Sequence, residues 1–340
     1  MDPTSKVESI SKFMKQELKQ EQSKKSTKRI IIKCVVSCLL LGYLLYKTDL
    51  PTIWTALKTA NPFWIVVSFS LHIIGFLLTA YRWQMLLAVR GAHFSAWYLV
   101  RSVFIGIFFN NFLPSTVGGD VFRAYDTAQK VGSKTEALTI VFVERLTGIF
   151  ALGLFALVAL LLGFSHVGQI PIIWLVLGGL VVTFFGFLAA MNPRFARLVK
   201  IVFNHPEVLK IPVLQRVQAK LKQIYDALSV YNRARRVMAI AFLLALLLQI
   251  NVILHYYFIA YAMKLPVPLW YFFLIIPVVT IVLMVPISIN GIGTREMVYF
   301  LLLQQFGVTR PEAIVFSWIA FGMILVQGVA GGIVYALRKD

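Results

Sequence analysis

Several stretches of this chain stay apolar for longer than the hydrocarbon of a bilayer is thick, and this limits its fold more than any other feature. A helix needs about 20 apolar residues to cross a membrane. Lipid offers the backbone no hydrogen-bond partners, so a spanning segment must satisfy its own peptide groups. The clear spans are about 30–47, 62–86, 136–164, 170–191, 237–262 and 312–337. The chain is 59% hydrophobic against 14% charged, so one membrane domain takes nearly its whole length and no soluble catalytic domain is expected.

Between these spans lie two apolar stretches that are interrupted, about 97–128 and 268–306. The first contains Pro114, Gly118, Gly119 and Arg123, the second Pro286, Gly291, Gly293 and Arg295. Both read P-x4-G-x3-R, with the second motif 172 residues after the first. Each places a helix breaker, a flexible hinge and a cation inside an apolar run. Paired interruptions at corresponding places in two halves point to the substrate site of a transporter. Shifted by the same offset, 62–86 falls on 237–262 and 136–164 on 312–337.

The formal charge of +19 comes mostly from loops and from the N-terminal tail. Basic connections stay on the cytoplasmic side of a membrane and attract anionic lipid headgroups. No basic domain stands outside the membrane to hold nucleic acid, which is not expected as a partner. The tail over 1–29, the 82–101 and 123–134 regions, the 192–236 connection and the Arg338–Lys339 end are basic and are assigned to the cytoplasm. The 47–61, 164–169 and 263–267 connections are poor in positive charge and are assigned outside. These assignments alternate only if each interrupted stretch is a re-entrant hairpin, the first from the cytoplasmic side and the second from the external side.

The expected fold is therefore an all-α polytopic membrane protein with two inverted-topology repeats, each carrying a re-entrant helical hairpin. Residues 30–338 form the single transmembrane domain, with repeat one over about 62–164 and repeat two over about 237–337. The tail carries a thin apolar trace at Val7, Ile10, Phe13, Met14 and Leu18, which fits a surface helix or a disordered polybasic segment equally. Cys34 and Cys38 lie one turn apart in the first span and read as small apolar residues rather than a disulfide or metal pair.

Asp120, Arg123, Glu144, Arg145, Arg295 and Glu296 lie in or beside apolar segments. A charged side chain at the bilayer centre costs about 2.5–3.5 kcal/mol on insertion scales, so each should face a partner or a wet cavity. Glu144 and Arg145 read either as an internal ion pair that locks helices or as part of a substrate path. Arg123 and Arg295 are expected to meet at the hairpin tips and clamp one phosphate, with Asp120 and Glu296 pairing with them or setting the net charge. The competing reading has both arginines reaching to opposite interfaces. Asn110 and Asn111 precede the first proline and are placed to cap or bond freed backbone groups, while Gln249, Asn251 and His255 on one face of a span, with His72 and Arg82 less regularly, read as interhelical contacts. No metalloprotease, nucleotide-binding or nucleophile motif is present, and neither cofactor nor metal is expected.

At Asn110–Arg123, Glu144-Arg145, Ser288–Glu296 and Arg82-Trp83 the chain resembles the lysylphosphatidylglycerol synthase transmembrane-region, or flippase-like, family. The resemblance covers roughly residues 30–338. It implies movement of lipids between leaflets: members include the flippase half of the multiple peptide resistance factor, and others are implicated in archaeal lipid-linked glycan assembly. It also implies that Asp120, Arg123, Glu144, Arg145, Arg295 and Glu296 line the headgroup path. Two-part members add a soluble aminoacyl-transferase domain that these residues do not include, so lysyl-lipid synthesis is not expected. The sequence thus points to a non-enzymatic flippase of the plasma (inner) membrane. Its substrate would be a phosphate-containing lipid, either an aminoacyl-phospholipid or a polyprenyl-phosphate-linked sugar. A membrane-embedded transferase and a small-anion transporter are the rival classes. Self-association is left open.

Overall fold

The computed structural model describes residues 50–112, 118–167, 234–285 and 288–338, together with residues 174, 178, 179, 181, 230 and 231. The expectations for the tail, the 30–47 span, nearly all of the 170–191 span and of the 192–236 connection, Cys34, Cys38, and the breakers Pro114 and Pro286 fall outside these residues. Among the described residues every regular element is helical. The order is α1 (Leu50–Thr59), α2 (Pro62–Ala88), α3 (Ala96–Phe112), α4 (Gly118–Val131), α5 (Lys134–Val167), α6 (Arg235–Ala262), α7 (Leu269–Met284), α8 (Thr294–Leu303) and α9 (Arg310–Leu337). Four stretches are long and apolar enough to cross a membrane: Pro62–Ala88, Lys134–Leu161, Arg235–Ala262 and Arg310–Leu337. The protein is an all-α polytopic membrane protein.

Local chemistry sets where these helices start. Asn61 caps α2 by accepting the Phe63 N–H at 3.0 Å, and Pro62 opens the first turn, where a missing N–H costs nothing. At α9 the Glu312 carboxylate accepts from both the N–H and the hydroxyl of Thr309, at 2.8 and 2.7 Å, and Pro311 again fills the first turn.

The two interrupted stretches are helix–break–helix units, α3–α4 and α7–α8. Each is tied at its base by a tyrosine near the start of its first helix, which donates to a carbonyl near the end of its second. Tyr98 donates to Asp126 at 3.1 Å, and Tyr271 to Leu302 at 2.9 Å. Both units therefore turn back toward the end they came from.

Those bases lie at opposite ends of the α2/α6 pair. The start of α2 meets the end of α6, where the Asn61 N–H donates to Ala262 at 2.8 Å and Trp64 stacks on Phe258. The α7–α8 base follows this end after a six-residue connection. The α3–α4 base sits at the other end, where Arg90 pairs with Glu136 and Arg338 pairs with Asp126 at 2.7 Å.

Helix contacts also come in matched sets. α3 packs on α9 as α7 packs on α5, and α4 packs on α5 as α8 packs on α9. Small residues make the closest approaches. A methyl group at Gly119 would collide with the Gly106 carbonyl across the first hairpin, and one at Gly331 would strike the Phe104 carbonyl where α9 crosses α3. In lipid, packing of this kind holds helices together more than apolar burial does, because the surroundings are equally apolar. Larger groups fill the rest. Trp83, Leu86, Leu87 and Leu99 join α2 to α3, and Tyr271, Phe272, Tyr299 and Phe316 join α7, α8 and α9.

Opposed hairpin bases have a direct consequence for labelling. His93 precedes α3 and Pro266 precedes α7, and both are exposed. Cysteines placed singly at these positions, in a background without Cys34 and Cys38, should react with a membrane-impermeant thiol reagent from opposite faces of the membrane. Reaction of both from one face would refute the opposed arrangement.

Candidate functional site

The two breaks meet inside the protein. In the first, the Asn110 side-chain oxygen accepts the Gly119 N–H at 2.7 Å, satisfying a donor left over at the start of α4. In the second, Asn290, Gly291 and Gly293 adopt positive φ of 50°, 73° and 83°. Glycine takes that region without strain and asparagine tolerates it. The turn aims the Asn290 side chain at the first break, where its amide donates to the Asn111 carbonyl at 2.5 Å. Asn111 in turn donates to the Ile324 carbonyl of α9 at 2.8 Å.

Beside this junction lies a cavity of about 390 Å³ between α2, α3, α6 and α9. Its polar lining includes His72, Asn110, Asn111, Gln249, His255 and Gln327, and among the described residues no Asp, Glu, Lys or Arg contributes to it. Sequence reasoning read His72, Gln249 and His255 as interhelical contacts and Asn110 and Asn111 as partners for freed backbone groups, which Asn110 is at Gly119, and Gln327 it did not single out at all. A signal was present in the i, i+2, i+6 run of Gln249, Asn251 and His255 within α6. Only the position of the neighbouring helices shows that the wall they form encloses a space.

The charged residues form two clusters away from that lining. In the first, Glu144 sits about 15 Å along α5 from its start, at the 1.5 Å rise of a helix. It is 3% exposed and carries two arginines. Arg123 Nη2 donates to Oε2 at 2.7 Å and Arg82 Nη2 to Oε1 at 3.1 Å. Asp120 pairs with Arg145 and lies 3.7 Å from Arg123. The Arg123 guanidinium also stacks on the buried Trp83 ring at 4.1 Å. Three arginines thus face two carboxylates, and the cluster carries one surplus positive charge. Arg82 Nε and Nη1 and Arg123 Nε are buried without hydrogen-bond partners among the described residues.

The second cluster is electrically balanced. Glu296 is fully buried, and it accepts the Gly293 N–H at 2.6 Å, which caps α8. Its other oxygen accepts from Ser317 at 3.0 Å and from Arg295 Nη2 at 3.3 Å. Arg295 Nε donates to Ser317 Oγ at 2.9 Å, and its guanidinium stacks on Phe321 at 4.2 Å.

Two sequence expectations change here. Among the described contacts Glu144 and Arg145 pair with other helices rather than with each other: Glu144 with Arg82 of α2 and Arg123 of α4, and Arg145 with Asp120 of α4. Arg123 and Arg295 share no partner among the described contacts, so this conformation does not hold them as a joint clamp. Arg82, known from the sequence only as a less regular polar position and as part of the resemblance, is a full member of the first cluster.

The burial difference within the first cluster predicts unequal stabilities. Glu144→Gln strands two buried guanidinium groups, and breaking a buried pair costs about 3–5 kcal/mol. Arg145 keeps 35% of its side chain exposed, so Arg145→Gln should cost about 1 kcal/mol or less. Thermal unfolding of the purified protein should show a large loss for Glu144→Gln and a small one for Arg145→Gln. Equal losses would contradict the network as described.

No curated protein matches the chain. A protein-family profile does, the lysylphosphatidylglycerol synthase TM region, over residues 30–332. That match takes in both helix breaks, both charged clusters, three of the long apolar helices whole and the fourth as far as residue 332. With nine-tenths of its length covered, the chain belongs to the lysylphosphatidylglycerol synthase TM region family of integral membrane proteins.

Proposed function

We propose that this protein is a lipid flippase of the plasma membrane that moves a phosphate-containing headgroup between leaflets by alternating access. The carrying observation is the meeting of two helix breaks beside a polar cavity, through the Asn290–Asn111 hydrogen bond. Broken helices whose free backbone groups face a shared space are how transporters build a site within a bilayer. On this reading the two halves are inverted repeats, and rocking one hairpin against the other exposes the site to each leaflet in turn. Both termini then lie in the cytoplasm, where basic segments contact anionic lipid. A family whose name refers to lipid chemistry in the membrane agrees with a lipid as the cargo.

The surplus positive charge of the Arg82–Arg123–Glu144 cluster, with its unpartnered guanidinium N–H groups, favours an anion, and a planar fork of this kind grips a phosphate by two oxygens. We assign the phosphate to this cluster and give Arg295 and Glu296 the role of fixing the second hinge. Aminoacyl-phospholipids and polyprenyl-phosphate sugars both carry the required group. The transferase alternative needs a free base, whereas Glu144 and Asp120 are both held in ion pairs, which favours transport over catalysis.

Proteoliposomes containing labelled phospholipid test this reading. Leaflet transfer is expected, and Arg123→Lys should slow it about ten- to hundredfold. That range corresponds to losing one charge-assisted hydrogen bond of about 1.5–3 kcal/mol. Arg295→Lys should act mainly on stability, and the two changes should combine additively because they touch separate clusters. Chemical conversion of the lipid without leaflet transfer would replace the flippase with a transferase. Uptake of inorganic phosphate without lipid movement would replace it with a small-anion transporter.

A further inference from the structure

A groove on the outside of the protein joins apolar walls to two arginines. It encloses about 550 Å³ between α2, α3 and α9, and Ile73, Phe76, Leu77, Phe104 and Val334 belong to its apolar lining. Ile73 and Leu77 are largely exposed, so the groove opens outward where α2 faces lipid. Trp97, Arg101 and Arg338 line it too.

These two kinds of group lie at different depths. Trp97 and Arg101 stand in the first two turns of α3, and Arg338 directly follows α9, so all three are at the base of the first hairpin. Ile73 lies fifteen residues before the end of α2 that adjoins this base, about 22 Å of helix away. The hydrocarbon of one leaflet is about 15 Å deep. The groove therefore starts among cations at the membrane surface and runs, apolar, toward the midplane. A phospholipid is built in the same order.

The two arginines are not equivalent. Arg338 donates to both Asp126 oxygens, at 3.1 and 2.7 Å, and to the Tyr98 hydroxyl at 2.9 Å, so a carboxylate balances its charge. Arg101 is exposed and makes no ion pair among the described residues. Its guanidinium lies 5.2 Å over the ring of Trp97, itself 62% exposed. Tryptophan gathers at the level of lipid headgroups, and its ring face steadies a cation there. The mouth of the groove thus carries one surplus positive charge on a planar fork that suits two phosphate oxygens. In a zwitterionic lipid an ammonium offsets the phosphate and is repelled by Arg101, whereas an anionic lipid has no such penalty.

We propose that this groove binds an anionic phospholipid of the leaflet on the first-hairpin base side, with its phosphate on Arg101 and an acyl chain between α2, α3 and α9. The site is separate from the Arg82–Arg123–Glu144 cluster. It requires only that the chain spans a membrane, and it stands whether or not the protein moves lipids between leaflets.

The test uses the full chain in nanodiscs of phosphatidylglycerol and phosphatidylcholine in equal amounts. A photoactivatable diazirine is carried on one acyl chain of the first lipid in one preparation and of the second in the other. Mass spectrometry then compares labelling at Ile73, Leu77 and Val334 with labelling at Leu243 and Leu247, exposed residues of α6 outside the groove. General attraction of anionic lipid to a basic protein raises both sets alike. The phosphatidylglycerol-to-phosphatidylcholine ratio should be about fivefold higher in the groove than on α6, the effect of one cation at a membrane surface. Arg101→Gln should bring the two ratios together. Equal ratios in the unaltered protein would overturn the proposal, and so would a groove preference that survives Arg101→Gln. A disulfide between Cys34 or Cys38 and a cysteine placed at Ile73 would put the 30–47 span in the groove and overturn it as well. Leaflet transfer is not the readout, so this site and the flippase fail separately.

Discussion

A helix interrupted inside a membrane leaves peptide groups that only protein can satisfy, and the architecture of this molecule follows from how that debt is met. Two such interruptions adjoin the described residues, and each supplies partners to its own break or to the other. Asn110 takes up a leftover N–H at the start of α4, and Asn290 donates to the backbone of the first break. The Glu296 carboxylate caps α8 from within its own first turn. Since isolated breaks would be costly in lipid, bringing them together stabilises both.

Charge is arranged around the same junction under a different constraint. A lone ion in the hydrocarbon is expensive, so Glu144 recruits Arg82 and Arg123, and Glu296 recruits Arg295 and Ser317. The stacking of Arg123 on Trp83 and of Arg295 on Phe321 adds favourable contact on the apolar side of each guanidinium. The halves match in these aromatic platforms and in the tyrosines that close each hairpin base. They differ in balance, since the first cluster keeps an extra cation and the second is neutral. That asymmetry is what the proposed division into a phosphate-binding half and a hinge-fixing half rests on.

Much of this was legible in the sequence because a bilayer leaves few options. An apolar run as long as 237–262 has to satisfy its own peptide groups as a helix, and a proline followed by glycines marks where such a run can break, although Pro277 sits inside α7 without ending it. Acids and arginines at Asp120, Arg123, Glu144, Arg295 and Glu296 had to find partners, and the structure gives each one. The offset that joins the two motifs also joins α2 to α6 and α5 to α9, because hydropathy records where helices start and stop.

Which partner each charge takes is decided only by the tertiary structure. Glu144 and Arg145 are neighbours in sequence yet diverge around the helix, and Arg82 joins the cluster from 62 residues away. The cavity escaped the sequence for a related reason. Asn, Gln and His between transmembrane helices look alike whether they hold helices together or border a space. Asn251 and His255 each bond to α2, yet His255 retains one unpaired nitrogen among the described residues, and that difference arises only from how α2, α6 and α9 pack. Sequence alone determined the helices, their breaks and the kinds of residue placed in lipid, because local hydropathy and backbone chemistry act along the chain. The pairing of those residues, and the space left between them, came from contacts across the chain that no local pattern encodes.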